Sequence, residues 1–271
     1  MAKRRRGKFN VPRMWQIVGV SGLAIVVAVL VGVAVQPTPL PPVPEGYVRP
    51  SNELPPVAPT VVFIGDSYTG GSDMGGRGDA NWTAVAADTL GWRDCSFGVG
   101  GSGWTVGASG WTYGARVDWA LSRHPSLIVF SNGINDVKGD AALIGPAAAE
   151  ALAYLRSKDA DVPVVVVGPM QVQNFPALYV MNDGVAAASA ANTATFVDAV
   201  AGGWFTGADR VYVGTDQFHP TDEGHVYLAQ KFIDSLAAAG IVLEDVPRED
   251  RVPCAPPNPS QVAADGTPVN P

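Results

Sequence analysis

The sequence predicts an α/β domain in which a parallel sheet lies between helical layers. Three observations carry this. Five apolar runs, Thr60 to Ile64, Arg93 to Phe97, Leu127 to Ser131, Pro163 to Gly168 and Arg210 to Val213, are spaced far enough apart to hold a helix between them. The intervening segments are helix-like, and the runs end in Gly-, Asn- and Asp-rich turns. Alternation of strand and helix requires right-handed crossovers, which place helices on both faces of a parallel sheet.

The first run, Val61-Val62-Phe63-Ile64, is apolar at four consecutive positions, as expected of a strand buried on both faces. It runs into Gly65-Asp66-Ser67, which puts a serine at the carboxyl end of the strand, where open α/β sheets bind ligands. Asn81 to Leu90 is a helix with Trp82, Val85, Ala86 and Leu90 near helical spacing. Ala141 to Leu155 is rich in the strongest helix formers, and Asn182 to Val200 is an Ala-rich helix able to bury Phe196, Val197 and Val200. Thr221 to Ala238 sets Val226, Ala229, Phe232, Ile233 and Leu236 on one stripe and stops near Gly240.

What precedes the domain has a different composition. Lys3, Arg4, Arg5, Arg6, Lys8 and Arg13 are six basic residues with no acid before residue 36, leaving 12 basic and 25 acidic residues, net -13, in the remainder. So acidic a body argues against a nucleic-acid partner. Ile17 to Val35 is uncharged, long enough at about 28 Å to cross a bilayer as a helix. Positive charge ahead of it predicts an inside amino terminus and an exported remainder. The expected organisation is a basic cytoplasmic segment (1–13), a transmembrane signal anchor (14–35), a Pro-rich linker (36–59), the α/β domain (60–243) and a Pro-rich tail (244–271). A cleavable signal peptide ending near Gly32-Val33-Ala34 is the alternative, and it exports the domain as well. Nine prolines in the 24 residues from Gln36 to Pro59 favour an extended spacer. The two cysteines, Cys95 and Cys254, fall in the exported part and either form one disulfide or stand as unrelated thiols. No Cys/His cluster has zinc spacing, and no metal or cofactor is expected.

Three further stretches bear on chemistry. Gly98-Val99-Gly100-Gly101-Ser102-Gly103 matches G-x-G-x-x-G, but it follows the second strand and more glycine comes after it, against a dinucleotide fingerprint. Such a loop suits close approach of backbone N–H groups to a developing oxyanion. Asn135, within Ser131-Asn132-Gly133-Ile134-Asn135-Asp136, offers a neutral side-chain donor. Asp216 and His219, three apart in Asp216-Gln217-Phe218-His219-Pro220, can pair so that the carboxylate holds one imidazole nitrogen and the other faces a nucleophile. His124 reads as a surface residue and His225 as structural. Trp104, Trp111, Tyr113 and Phe175 either line a groove or belong to the core.

Gly65-Asp66-Ser67, the glycine turn at Gly101, Gly133-Ile134-Asn135-Asp136 and Asp216-Gln217-Phe218-His219-Pro220 resemble, in order and strand position, the motifs of the SGNH hydrolases, also called the GDSL-type esterase and lipase family. The resemblance spans residues 60 to 238. It implies a three-layer, flavodoxin-like α/β/α sandwich with a five-stranded parallel sheet. It also implies Ser67 as nucleophile, His219 as base, Asp216 orienting the histidine, and an oxyanion hole from the Ser67 and Gly101 N–H groups and the Asn135 side chain. Gly101 is followed by Ser102 where the family often has Gly-Asp or a nearby asparagine, so Gly100 and Gly103 are alternative donors. The expectation is an exported serine esterase, tethered to the membrane, that hydrolyses an acetyl or acyl ester of an envelope glycan or lipid. An envelope acyltransferase with the same triad and a non-catalytic tethered binding module are the alternatives.

Overall fold

Four side chains in a row on one strand, Val61, Val62, Phe63 and Ile64, have no solvent exposure, which is the constraint that sets the architecture. Alternate residues of a strand face opposite sides, so both faces of the sheet must be covered. In the computed structural model, Val61 and Phe63 join one hydrophobic cluster and Val62 and Ile64 another. Each such side chain contributes about 1.5–3 kcal/mol on burial. The structure describes residues 57–246 apart from 108, 109, 171 and 174, and also Cys254. The chain divides into two units, Met1–Asn52 and Glu53–Pro271, and the described residues all lie in the second.

The sheet contains β1 (Thr60–Gly65), β2 (Arg93–Gly98), β3 (Leu127–Ser131), β4 (Val164–Val167) and β5 (Thr195–Val197), all parallel, in the order β2-β1-β3-β4-β5. A short helix α1 (Ser67–Gly70) follows β1. Helices α2 (Trp82–Leu90) and α6 (Asp222–Ala238) cover one face of the sheet with Trp82, Ala86, Leu228, Ala229, Phe232 and Leu236. The other face is covered by α3 (Val117–Leu121), α4 (Ile144–Lys158) and α5 (Ala177–Ala191). This is the three-layer sandwich with five parallel strands.

The helix starts follow from capping chemistry. The Asn81 side chain accepts from Thr83 N at 3.1 Å, and Thr221 Oγ1 accepts from Gly224 N at 3.1 Å, each satisfying a donor that the first turn leaves open.

Two expected elements differ. Arg210 to Val213 is not a strand: Gly207–Tyr212 winds into a 3-10 helix, Val211 is 75% exposed, and Val213 makes only an isolated bridge to Pro220. The fifth strand is Thr195–Val197, which sequence patterning merges into the preceding Ala-rich helix. That helix stops at Ala191 because Asn192 leaves helical geometry and Thr193 takes a φ of 54°. The buried stripe of α6 is also rotated: Val226 is exposed, and Gly224, His225 and Leu228 turn inward instead.

Cys95 and Cys254 are joined as a disulfide that closes a separation of 159 residues. Val57 and Val246 exchange backbone hydrogen bonds at 2.8 and 2.9 Å, so the two ends of the domain meet beside the start of β1. Residues 1–56, including the expected transmembrane segment at 14–35, lie outside the described residues, as does most of the tail. Among the described residues no helix is long and apolar enough to cross a membrane. In the chain-entropy picture a loop of this length adds about 4–5 kcal/mol of stability. Cys254→Ser is therefore expected to lower the urea midpoint of unfolding, a change that reducing agent reproduces in the wild type but does not deepen in the variant.

Candidate active site

The sheet order reverses direction between β1 and β3, and the crevice beyond their carboxyl ends is where doubly wound sheets take ligands. An open cleft of about 830 Å³ lies there, and its walls include Ser67, Gly100, Gly101, Asn135, Asp216 and His219. Each comes from a segment that leaves a strand or enters a helix, so the sheet and α6 together fix their spacing.

Ser67 is the first residue of α1, and its predecessor Asp66 is the N-cap, whose carboxylate accepts from Tyr68 N at 2.9 Å. This holds the serine in a tight strand-to-helix turn at partial exposure. The turn is feasible because Gly98 of β2 has no side chain: a Cβ there would sit 2.1 Å from Gly70 N.

Ser67 Oγ and His219 Nε2 are 2.9 Å apart, and His219 Nδ1 is 2.6 Å from Asp216 Oδ2. The other Asp216 oxygen accepts from Phe218 N and His219 N, both at 2.9 Å, so the carboxylate is locked against its own loop. Gln217 takes a φ of 59° to close this loop, and Tyr68 Oη donates to Phe218 O at 2.5 Å, tying it to α1. Burial pushes the Asp216 carboxyl up, but its hydrogen bonds from the His219 ring and from the His219 and Phe218 N–H groups more than offset this and hold it below the ordinary carboxylate range. It is therefore an anion at neutral pH, suited to keep the imidazole proton on Nδ1 and Nε2 free to accept.

Gly101 sits at a φ of 81° in the turn closed by Ser102 N donating to Val99 O at 3.1 Å. Gly103 donates its N–H to Val106 O at 2.7 Å, which leaves Gly100 and Gly101 on the cleft wall. The Asn135 amide donates to Ser102 O at 3.0 Å and to Asp66 Oδ2 at 3.4 Å.

Beneath these groups lie residues that sequence reading left without a role. Asp66 is fully buried, and Asn132 Nδ2 donates to it at 2.9 Å. Burial pushes its carboxyl up to about 6, against the lowering influence of the Tyr68 N–H, Asn132, Arg116 and His219. Asp136 accepts from Trp104 N, Thr105 N and Val106 N at 2.7, 2.9 and 3.0 Å and so shapes the loop that follows Gly101. Asp66 and Asp136 are hinted at by their places beside Ser67 and Asn135. Arg116 has no such signal. Trp104, Trp111 and Tyr113 are buried, Phe175 packs against the core, and Phe218 lines the cleft beside His219. His124 is exposed.

Fold and site together define a serine ester hydrolase. The sequence model of the GDSL-like lipase/acylhydrolase family matches residues 63–227. The chain is 30% identical over 188 residues to GDSL lipase Rv0518 of Mycobacterium tuberculosis, covering 63% of this chain and 78% of that one. Among solved structures, the lipase/acylhydrolase from Enterococcus faecalis superposes with a TM-score of 0.56 at 13% identity, covering 70% of this chain and 98% of the other. The salicylyl-acyltransferase SsfX3 from a tetracycline biosynthetic pathway gives a TM-score of 0.53 at 18% identity, over 68% and 55% of the two chains. The protein belongs to the GDSL-like lipase/acylhydrolase family. That membership sets aside the non-catalytic binding module.

His225, on the first turn of α6, is buried; its Nδ1 accepts from Trp82 N at 3.3 Å, and Nε2 lies against Gly76 in the loop that flanks the cleft. Burial pushes this imidazole down to about 4, opposed by Asp222 and reinforced by His219. Between about pH 6.5 and pH 4 the folded protein thus binds fewer protons here than the unfolded chain. The stability this provides is complete above pH 6.5 and is lost as the pH falls through 4, about 3 kcal/mol in all. Asp66 contributes in the opposite direction over part of the same range, but does so equally in a His225 variant. His225→Gln is therefore expected to lose about 3 kcal/mol less stability than the wild type between pH 6.5 and 4, measured by urea unfolding. Parallel curves would contradict the assignment.

Proposed function

We propose that Ser67 is the nucleophile of a carboxylic ester hydrolase, with His219 as its base and Asp216 as the group that orients and charge-compensates the histidine. The observation that carries this reading is the unbroken chain from Ser67 Oγ through His219 to Asp216 at the wall of the cleft. A serine hydroxyl is too weakly acidic to attack unaided at neutral pH. As its oxygen bonds to the ester carbonyl carbon, its proton passes to His219 Nε2, and the carbonyl oxygen becomes an oxyanion. The backbone N–H groups of Ser67 and Gly101 receive that oxygen, and Asn135 joins them by exchanging its longer, 3.4 Å bond to Asp66. Collapse breaks the bond to the alcohol, which leaves with the proton from His219. Water then attacks the acyl-Ser67, again delivering a proton to His219, and releases the acid and the free serine.

The substrate we assign is an acetyl or acyl ester on a glycan or lipid of the cell envelope, met by an exported enzyme tethered through residues 14–35. The apolar run behind a basic head supports export, and a disulfide suits an oxidising compartment. The second reading, acyl transfer to a sugar hydroxyl in place of water, is supported by an open cleft of about 830 Å³, large enough for an acceptor beside the acyl-serine. Acetylated sugar in place of free acetate, when a sugar acceptor is added to the reaction, decides between them.

Ser67→Ala in the full-length protein is expected to lower kcat for p-nitrophenyl acetate by about 10³-fold or more. Activity within tenfold of the wild type would remove Ser67 from the reaction.

A further inference from the structure

Arg116 stands just before α3, and its side chain has no solvent exposure. A buried guanidinium is strongly destabilising unless its donors are met. Here Nη1 donates to Gly65 O and to Phe97 O, both at 2.6 Å, Nη2 donates to Ser102 Oγ at 2.8 Å and Trp111 O at 3.5 Å, and Nε donates to Thr112 O at 3.2 Å. The cation also lies 4.9 Å from the Tyr113 ring centre and 5.4 Å from that of Phe97.

The acceptors share a location. Gly65 O is the last carbonyl of β1, two residues before Ser67; Phe97 O is near the end of β2; Ser102 directly follows Gly101. One planar fork therefore bridges the turn that presents Ser67 and the loop that presents Gly101. Burial pushes the guanidinium down to about 10, with Tyr113 and Asp66 favouring its charge, so it stays cationic at neutral pH. An apolar side chain of similar size would fill the space without the desolvation cost, and lysine lacks the fork that reaches three acceptors at once.

We propose that Arg116 is a positioning residue for the oxyanion hole: its guanidinium fixes the separation of the Gly65-Asp66-Ser67 turn from the Gly100-Gly101-Ser102 loop, so that the Ser67 and Gly101 N–H groups converge on one point. The inference rests on Ser67 being the nucleophile. A group that aims donors at a developing charge acts on the transition state more than on the bound ester, so its loss appears in kcat with KM little changed. A group that only fills the core would lower the melting temperature and leave kcat intact below it.

The test compares full-length wild type, Ser67→Ala, Arg116→Lys and Ser102→Ala on p-nitrophenyl acetate, each assayed well below its own melting temperature. Arg116→Lys is expected to lose about 30-fold or more in kcat with KM within threefold. Ser102→Ala, which removes one acceptor without exposing the charge, is expected to lose about five- to tenfold in the same way. A folded Arg116→Lys with kcat within threefold of wild type, or with its loss confined to KM, would overturn the proposal. If Arg116→Lys does not fold, Ser102→Ala decides, and kcat within twofold of wild type overturns it. Ser67→Ala reads the underlying assignment separately: an active Ser67→Ala removes the nucleophile and the proposal together, whereas an inactive one leaves the Arg116 result to stand alone.

Discussion

The buried carboxylate of Asp66 is the point on which the rest of the site hangs. It directly follows β1, caps α1 through Tyr68 N, accepts from Asn132 and Asn135 at the end of β3, and is close enough to Arg116 for each charge to favour the other. A carboxylate with no water around it must collect donors, and collecting them draws the ends of β1 and β3 together at the switch point of the sheet. Arg116 extends the same logic to β2 by bonding to Gly65 O and Phe97 O. The serine is thus presented from a frame in which neighbouring strand ends are held by buried polar bonds.

The histidine arrives from the other side. Its loop is fixed within itself by Asp216, by the positive φ of Gln217, and to α1 by Tyr68. The helix that follows is anchored by Thr221 at its first turn and by His225 against the start of α2. Two separately braced bodies therefore meet at the 2.9 Å contact between Ser67 and His219. Preorganisation of this kind would let the proposed nucleophile and its base act without reorganising at the moment of reaction.

Much of this was readable from residue patterns, for identifiable reasons. The four-residue apolar run ahead of Gly65-Asp66-Ser67, bounded by turn residues, reads as a strand buried on both faces, and the Asp216/His219 spacing places both groups on one loop; the signals are local in each case. What escaped was what depends on tertiary context. Thr195–Val197 is too short, and too near an Ala-rich helix, for β-propensity to announce it, while Arg210 to Val213 has strand-like residues but leaves Val211 facing solvent. Arg116 looks like any surface arginine until Gly65, Phe97 and Ser102, distant in sequence, supply its acceptors. A buried ion leaves no period in the sequence. Residues 1–56 remain legible only as composition, and with them the tether that the proposed envelope substrate presumes.

The proposed mechanism requires that Ser67 alone among the hydroxyls of the domain be activated, and that His219 activate it. Intact-mass analysis of the full-length protein after exposure to a fluorophosphonate measures this most directly. One adduct per chain, mapped to the peptide containing Ser67 and formed far more slowly in His219→Ala, is the predicted result; no adduct on folded protein, or one that forms at the same rate without His219, would contradict it.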